Sequence, residues 1–156
     1  MVLSEYMPPI HKNQHYELFV MNQGFRGDGI TLLRSKTIYI PNALPSDRVE
    51  VKIVKICKTF CYGKSTRILL WSHQRRTAPC PIAAQCGGCT LQHQKYQYQL
   101  EFKQSLIKDV FKSSSIDLEK VLLPINCSET EFGYRNKLQV AIQKQSDQIC
   151  FGLYAA

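Results

Sequence analysis

Three cysteines packed into one short stretch constrain this chain more than any other feature. Cys80 to His93 reads CPIAAQCGGCTLQH, with thiols at Cys80, Cys86 and Cys89 and the pair Gly87-Gly88 filling the last gap. A gap without side chains lets backbone N–H groups and both flanking sulfurs turn toward one centre. A loop of this kind is built to wrap a metal. Structural zinc and iron-sulfur sites normally take four protein ligands, so a fourth has to come from elsewhere. The C-x5-C-x2-C spacing departs from the paired C-x2-C knuckles of a zinc ribbon. It is closer to an iron-sulfur arrangement, with three ligands in one loop and the fourth from a distant segment. The spacing therefore favours a cluster over zinc, with inert cysteines as the third reading.

The remaining cysteines and the overall length narrow the class. Seven cysteines is an odd number, and no charged, apolar, small-residue signal sequence opens the chain, which argues against a secreted disulfide framework and for a reducing cytoplasm. No apolar run is long enough to cross a bilayer, so no membrane partner is expected. The 156 residues leave room for one ordinary domain or two small ones, and 44% hydrophobic content is enough for a core. Twenty Lys and Arg against twelve Asp and Glu give a formal charge of +8, which points to a polyanionic partner, nucleic acid first.

Residues 1–15, with Pro8 and Pro9 and no periodicity, read as a flexible lead-in. From Tyr16 the pattern is that of short strands: Tyr16–Asn22, Gly29–Leu33, Thr37–Ile40, Arg48–Cys57 and Lys64–Trp71, separated by Gly, Pro, Asn and Asp turns. Five short strands of this kind suggest a small barrel, whose closure removes exposed edges. Along Arg48–Val54 the residues alternate, with Val49, Val51 and Ile53 on one face and Arg48, Glu50 and Lys52 on the other. Between Arg48 and Arg76 eight basic residues stand against one acid, Glu50, with Phe60, Tyr62 and Trp71 interleaved. Cations for phosphates and rings for bases suit single-stranded nucleic acid, although each ring or lysine taken alone reads sooner as an ordinary core or solvated residue. Cys57 and Cys61 end a β-branched strand and read as small core hydrophobes.

After the thiol loop, Lys95–Lys112 takes on helical periodicity, with Tyr96, Leu100, Ile107 and Phe111 on one stripe and Lys103, Lys108 and Lys112 turned outward. Val121–Ile125 is a short apolar segment. Tyr134–Gln143 and Ile149–Ala155 then read as a β-hairpin across Lys144–Gln148, its last strand an open edge of an interrupted domain.

With these motifs in place the sequence resembles the RNA uracil-5-methyltransferases that carry a 4Fe-4S cluster. Tyr16–Trp71 is similar to their TRAM domain, an OB-like RNA-binding barrel, through the turn Gly27-Asp28-Gly29-Ile30 and the stretch Ile40-Pro41-Asn42-Ala43-Leu44-Pro45. Cys80, Cys86, Gly87, Gly88, Cys89, Gln92 and His93 fit the family's cluster motif, Tyr96, Gln99 and Lys103 its helix, and Tyr134-Arg135-Asn136-Lys137 the strand that opens its central domain. Two local departures stand out: Ser46 where the family usually has glycine, and Ser72-His73-Gln74-Arg75-Arg76 ahead of the first cluster cysteine.

The resemblance implies a mainly β chain: an OB-like five-stranded TRAM barrel at 16–72, followed at 73–156 by a truncated α+β iron-sulfur domain. It implies a 4Fe-4S cluster held by Cys80, Cys86 and Cys89, with Cys127 and Cys150 as internal substitutes for a fourth ligand that the family takes from a later segment. The S-adenosylmethionine site, the nucleophilic cysteine and the base belong in the family to a C-terminal Rossmann-like domain, and none of the seven cysteines here is assigned as nucleophile. Arg75, Arg76, Arg135 and Lys137 are the expected phosphate contacts on rRNA or tRNA. The expected function is the RNA-binding and cluster-binding part of an S-adenosylmethionine-dependent uracil-5-methyltransferase. The alternative is a stand-alone, non-catalytic RNA-binding module with a structural iron-sulfur or zinc site. The sequence leaves the oligomeric state open.

Overall fold

The alternation along Arg48–Ile53 organises the first of two compact units into which the chain divides, Met1–Arg75 and Arg76–Ala156. The structure, a computed structural model, describes residues 8–155. Val49, Val51 and Ile53 are fully buried, while their neighbours Arg48, Glu50 and Lys52 point away from the core. This strand lies inside a six-stranded sheet made of β1 (His15–Phe19), β2 (Asn22–Gln23), β3 (Gly29–Leu33), β4 (Lys36–Ile40), β5 (Arg48–Ile56) and β6 (Phe60–Leu70). The order is β1-β5-β6-β4-β3-β2, with every pairing antiparallel except β4 with β6.

The two edge strands of that order are consecutive in the chain, with only Val20 and Met21 between them. Two extended residues span less than about 10 Å from one strand to the next. The sheet must therefore curl until the end of β1 meets the start of β2, which follow one another without pairing. Val20 plugs the curl and is fully buried; its N–H donates to the Asp47 carbonyl (2.9 Å), and the Met21 N–H donates to the Ile30 carbonyl (2.9 Å). Leu18, Ile38, Ile40, Ala43 and Cys61 complete the core with the β5 valines and Ile53.

The sequence expectation of five strands is close but differs in particulars. The first expected strand is split at Val20 into β1 and β2, because its halves pair with opposite edges. β6 starts at Phe60 rather than Lys64: the β5–β6 hairpin turns over Cys57–Thr59, and its ladder already joins Ile56 to Cys61. Register shifts along β5 bend this hairpin, and Gly63 sits where a Cβ would strike Val51 Cγ1. Cys61 is a core residue as expected, and Cys57 is half-buried. The lead-in is partly integrated. Residues 1–7 lie outside the described residues, but Ile10 packs against the core and the Asn13 N–H donates to the Ile53 carbonyl (2.8 Å).

The end of the sheet is tied by one carboxylate. Asp47 is fully buried; its Oδ2 accepts the Leu44 N–H (2.7 Å), and its Oδ1 accepts the Ser72 N–H (2.8 Å) and Arg75 Nε (3.2 Å). Arg75 Nη2 closes the ion pair with Asp47 Oδ2 and donates to the Asn42 carbonyl (2.8 Å). Next to it, Ser46 adopts φ of 70°, a left-handed conformation that costs a residue with a side chain about 1–2 kcal/mol. That strain accounts for the glycine usual at this turn in the family that the sequence resembles.

In the second unit, α1 (Tyr96–Phe111) and α2 (Leu118–Val121) are followed by the hairpin β7 (Ala141–Gln145) and β8 (Gln148–Gly152). The helical stripe is not a core: no residue of α1 is buried, and Ile107, Val110 and Phe111 are exposed. The hairpin is shorter than expected, turning at Ser146-Asp147, and residues 134–140 are not in a strand. Among the described residues no helix is long and apolar enough to cross a membrane.

Removing one partner of a buried ion pair leaves the other charge uncompensated and typically costs about 3–5 kcal/mol. Asp47→Ala is therefore expected to lower the stability of the first unit by about that amount, measured by equilibrium urea denaturation. An unchanged midpoint would remove the clamp from the account of this fold.

Candidate thiol loop and basic cavity

Residues 80–93 form a succession of turns. The Ala83 N–H donates to the Cys80 carbonyl (3.1 Å), and the Gln85 and Cys86 N–H groups donate to the Ile82 carbonyl (2.9 Å each). Gln92 Oε1 accepts the Cys80 N–H (3.3 Å), which ties the two ends of the loop. The glycine pair has a reason that spacing alone did not disclose. The Gly87 N–H donates to the Tyr154 carbonyl (2.9 Å), and Cys86 forms a β-bridge with Ala155. A Cβ on Gly87 would stand 3.0 Å from the Tyr154 carbonyl oxygen, and one on Gly88 2.5 Å from Leu153 Cδ1. Gly87 thus admits the backbone that follows β8, and Gly88 the Leu153 side chain.

The resemblance calls for a 4Fe-4S cluster here, and the donor chemistry suits it. Cys80, Cys86 and Cys89 are outside any disulfide, half-buried in the first two cases and exposed in the third. The Gly88 N–H donates to Cys86 Sγ (3.4 Å). Among the described residues no three Cys, His, Asp or Glu side chains come together closely enough to hold a single metal ion. Cys127 and Cys150, expected as buried thiols or substitute ligands, are exposed.

The four expected phosphate contacts separate. Arg75 is buried against Asp47, with its side chain 5% exposed, and is corrected to a structural role because its guanidinium is committed inside the first unit. Charge counting could not show this, since the partner carboxylate lies 28 residues earlier. Arg76 is also engaged: it pairs with Glu131, donates through Nε to the Gln92 carbonyl (3.1 Å) and stacks 5.0 Å from the Phe132 ring centroid. Arg135 and Lys137 are exposed.

Arg76, Lys103 and Arg135 line one open cavity of about 620 Å³ in the second unit, together with Cys89, Gln92 and Tyr96. Its outer wall is the loop 128–135, pinned by the Arg76–Glu131 pair and by the Ser128 N–H donating to Tyr96 Oη (2.8 Å). The floor is braced by Gln99, whose Nε2 donates to the carbonyls of Leu91 (3.1 Å) and Gln94 (2.9 Å). Glu131 is taken up by Arg76, so Lys103 and Arg135 are left as cations without an ion pair among the described residues. An acceptor-rich ligand such as a phosphodiester suits such a cavity. Sequence reading missed Glu131 and Phe132 as site residues and the hydroxyl role of Tyr96, which it placed on the helical stripe and in the family's helix motif.

No family model matches the chain. An uncharacterized RNA methyltransferase of Clostridium tetani is 36% identical over 94% of this chain and 32% of its own length. Another from Halalkalibacterium halodurans is 32% identical over 97% of this chain and 33% of its own length. The chain thus spans about a third of the length of the curated relatives it matches. Among solved structures, the tRNA (uracil-54, C5)-methyltransferase of Pyrococcus abyssi, in complex with S-adenosyl-L-homocysteine, is 27% identical with a TM-score of 0.45, covering 62% of this chain and 21% of that one. A conserved protein of Methanococcus maripaludis, covered completely, matches 43% of this chain at 21% identity and a TM-score of 0.37.

If the Arg76–Glu131 pair holds the cavity wall, Glu131→Gln should speed amide hydrogen exchange at Ser128 as Arg76→Ala does. An effect confined to Arg76→Ala would show that the arginine acts through its other contacts.

Proposed function

We propose that this chain is the RNA-binding and thiol-loop part of an RNA uracil-5-methyltransferase. The observation that carries the reading is similarity along nearly the whole chain, 94–97%, to RNA methyltransferases at 32–36% identity. The motifs quoted above supply the uracil-5 specificity, and the +8 charge suits a substrate that is a polyanion. In this reading rRNA or tRNA is the substrate, and Arg135, Lys137 and Lys103 meet its phosphates beside the cavity of the second unit.

The chemistry of such an enzyme is addition of a cysteine thiolate to C6 of the uracil, transfer of a methyl group from S-adenosylmethionine to C5, loss of the C5 proton to a base and elimination of the thiolate. The target base has to leave its stack to reach those groups. The nucleophile, the base and the methyl-donor site are assigned to the two thirds of the relatives' length that this chain does not match, and the share of this chain is binding and positioning. Cys80, Cys86 and Cys89 are its contribution to a cluster.

The test is nucleoside mass spectrometry of rRNA and tRNA from cells lacking the gene that encodes this chain. Loss of 5-methyluridine from one of the two RNA pools is expected, and undiminished 5-methyluridine in both would overturn the reading. Iron and acid-labile sulfide in anaerobically purified protein are the expected analysis for the loop; zinc in their place would convert the site to a structural zinc module.

A further inference from the structure

The cavity of the second unit contains an acid where its chemistry asks for none. Three cations line it, Arg76, Lys103 and Arg135, and the one acid among the lining residues is Glu131. Glu131 belongs to the wall loop 128–135 and pairs with Arg76, whereas Lys103 and Arg135 make no ion pair among the described residues. One of the three cations is therefore neutralised from within. A carboxylate in that position opposes any anion that the other two attract.

The two sides of this pair are held unequally. Arg76 is fixed to the thiol loop by contacts that leave Nη1 out: its backbone N–H donates to the His93 carbonyl (2.9 Å) and its Nε to the Gln92 carbonyl (3.1 Å). Glu131 has no comparable anchorage. Residues 128–135 are all exposed, and the other pin of the loop is the Ser128 N–H on Tyr96 Oη (2.8 Å). Beyond Glu131 the chain borders open space, since a Cβ on Gly133 would meet nothing within 4 Å. The carboxylate can swing into water with little loss of buried surface, while the guanidinium stays in place. Guanidinium takes phosphate in the same forked geometry as carboxylate, so a phosphate that reaches Nη1 replaces Glu131 like for like.

We infer that Glu131 is an internal stand-in for a phosphate of the RNA: its carboxylate occupies Arg76 in the free chain and is displaced when a phosphodiester enters the cavity. Arg76 is then a cation held in reserve. It serves an anion that seats in the cavity and is closed to one that only passes over the surface, which makes Glu131 a specificity-determining residue. The inference rests on the proposal that the chain binds RNA beside this cavity, and it adds how the site is masked when RNA is absent. A consequence for salt dependence follows. Arg76 and Glu131 together bring no net charge to the phosphate, whereas Arg76 alone brings one.

The experiment is fluorescence anisotropy of the whole chain with a short labelled single-stranded RNA of mixed sequence, titrated at several salt concentrations. Glu131→Gln is expected to tighten binding roughly 2- to 5-fold, the worth of a partly exposed ion pair. It is also expected to steepen the slope of log affinity against log salt by about 0.7, the value for one added phosphate contact on a single strand. Glu129→Gln makes the same charge change at an exposed side chain with no ion pair among the described residues, and should leave both quantities near wild type. In an Arg76→Ala background, Glu131→Gln should change neither. Weaker binding by Glu131→Gln would overturn the inference, because the residue would then act only as a wall. Equal tightening by Glu129→Gln, or an effect that persists without Arg76, would overturn it as well. Should Arg76→Ala disturb the loop, the slope of the Glu131→Gln protein against that of Glu129→Gln decides alone. If Arg135→Ala/Lys137→Ala weakens binding while Glu131→Gln behaves as wild type, the inference fails and the RNA-binding reading stands. If the chain itself has no affinity for RNA, both fall.

Discussion

Asp47 is the group on which the first unit depends. A fully buried carboxylate is costly unless its charge and its lone pairs are satisfied. Here two backbone N–H groups and one guanidinium do so, and they come from two segments far apart in sequence, Leu44 and Ser72–Arg75. Its own carbonyl accepts the Val20 N–H where the sheet curls. One residue thus ties together, through its side chain, the turn at residues 41–47 and the exit from β6 and, through its backbone carbonyl, the crossing from β1 to β2. The strained Ser46 beside it is tolerated because this surrounding network determines its conformation.

That rigid frame gives meaning to the outer face. Residues alternate along Ile38–Ile40, Val49–Ile53 and Phe60–Gly63, so burying Ile38, Cys61, Val49 and Val51 obliges Tyr39, Tyr62 and Lys52 to face outward. The second unit is built differently. Its loops are held by single polar contacts, Arg76 to Glu131, Tyr96 to Ser128 and Gln99 to two carbonyls, around an open cavity. Its apolar side chains, among them Ile142, Ile149 and Phe151, are largely exposed. Polar pins of this kind set the position of a loop without the area burial that would make it stable on its own.

The parts of the structure legible in the sequence were those governed by local periodicity. Period-two alternation placed Val49, Val51 and Ile53 in the core, and helical periodicity set α1 to within a residue of its bounds. What stayed hidden depended on partners distant along the chain. Arg75 looks like a surface cation until Asp47 is brought to it, and Tyr96 looks like core until the Ser128 amide meets its hydroxyl. The Tyr134–Val140 run has strand character but no pairing partner among the described residues, so propensity there has nothing to act on. The three thiols were legible from their spacing as a ligand set, whereas the approach of the segment after β8 to Gly87 and Gly88 was not.

The passage from β1 to β2 through Val20 and Met21 has a consequence for how the first unit comes apart. One continuous span serves both rims of the sheet, so neither rim can fray independently: loosening β1 from β5 pulls on the same residues that hold β2 to β3. The rims should open and close as a single cooperative element, and amides on strands far apart in pairing order should share one protection class.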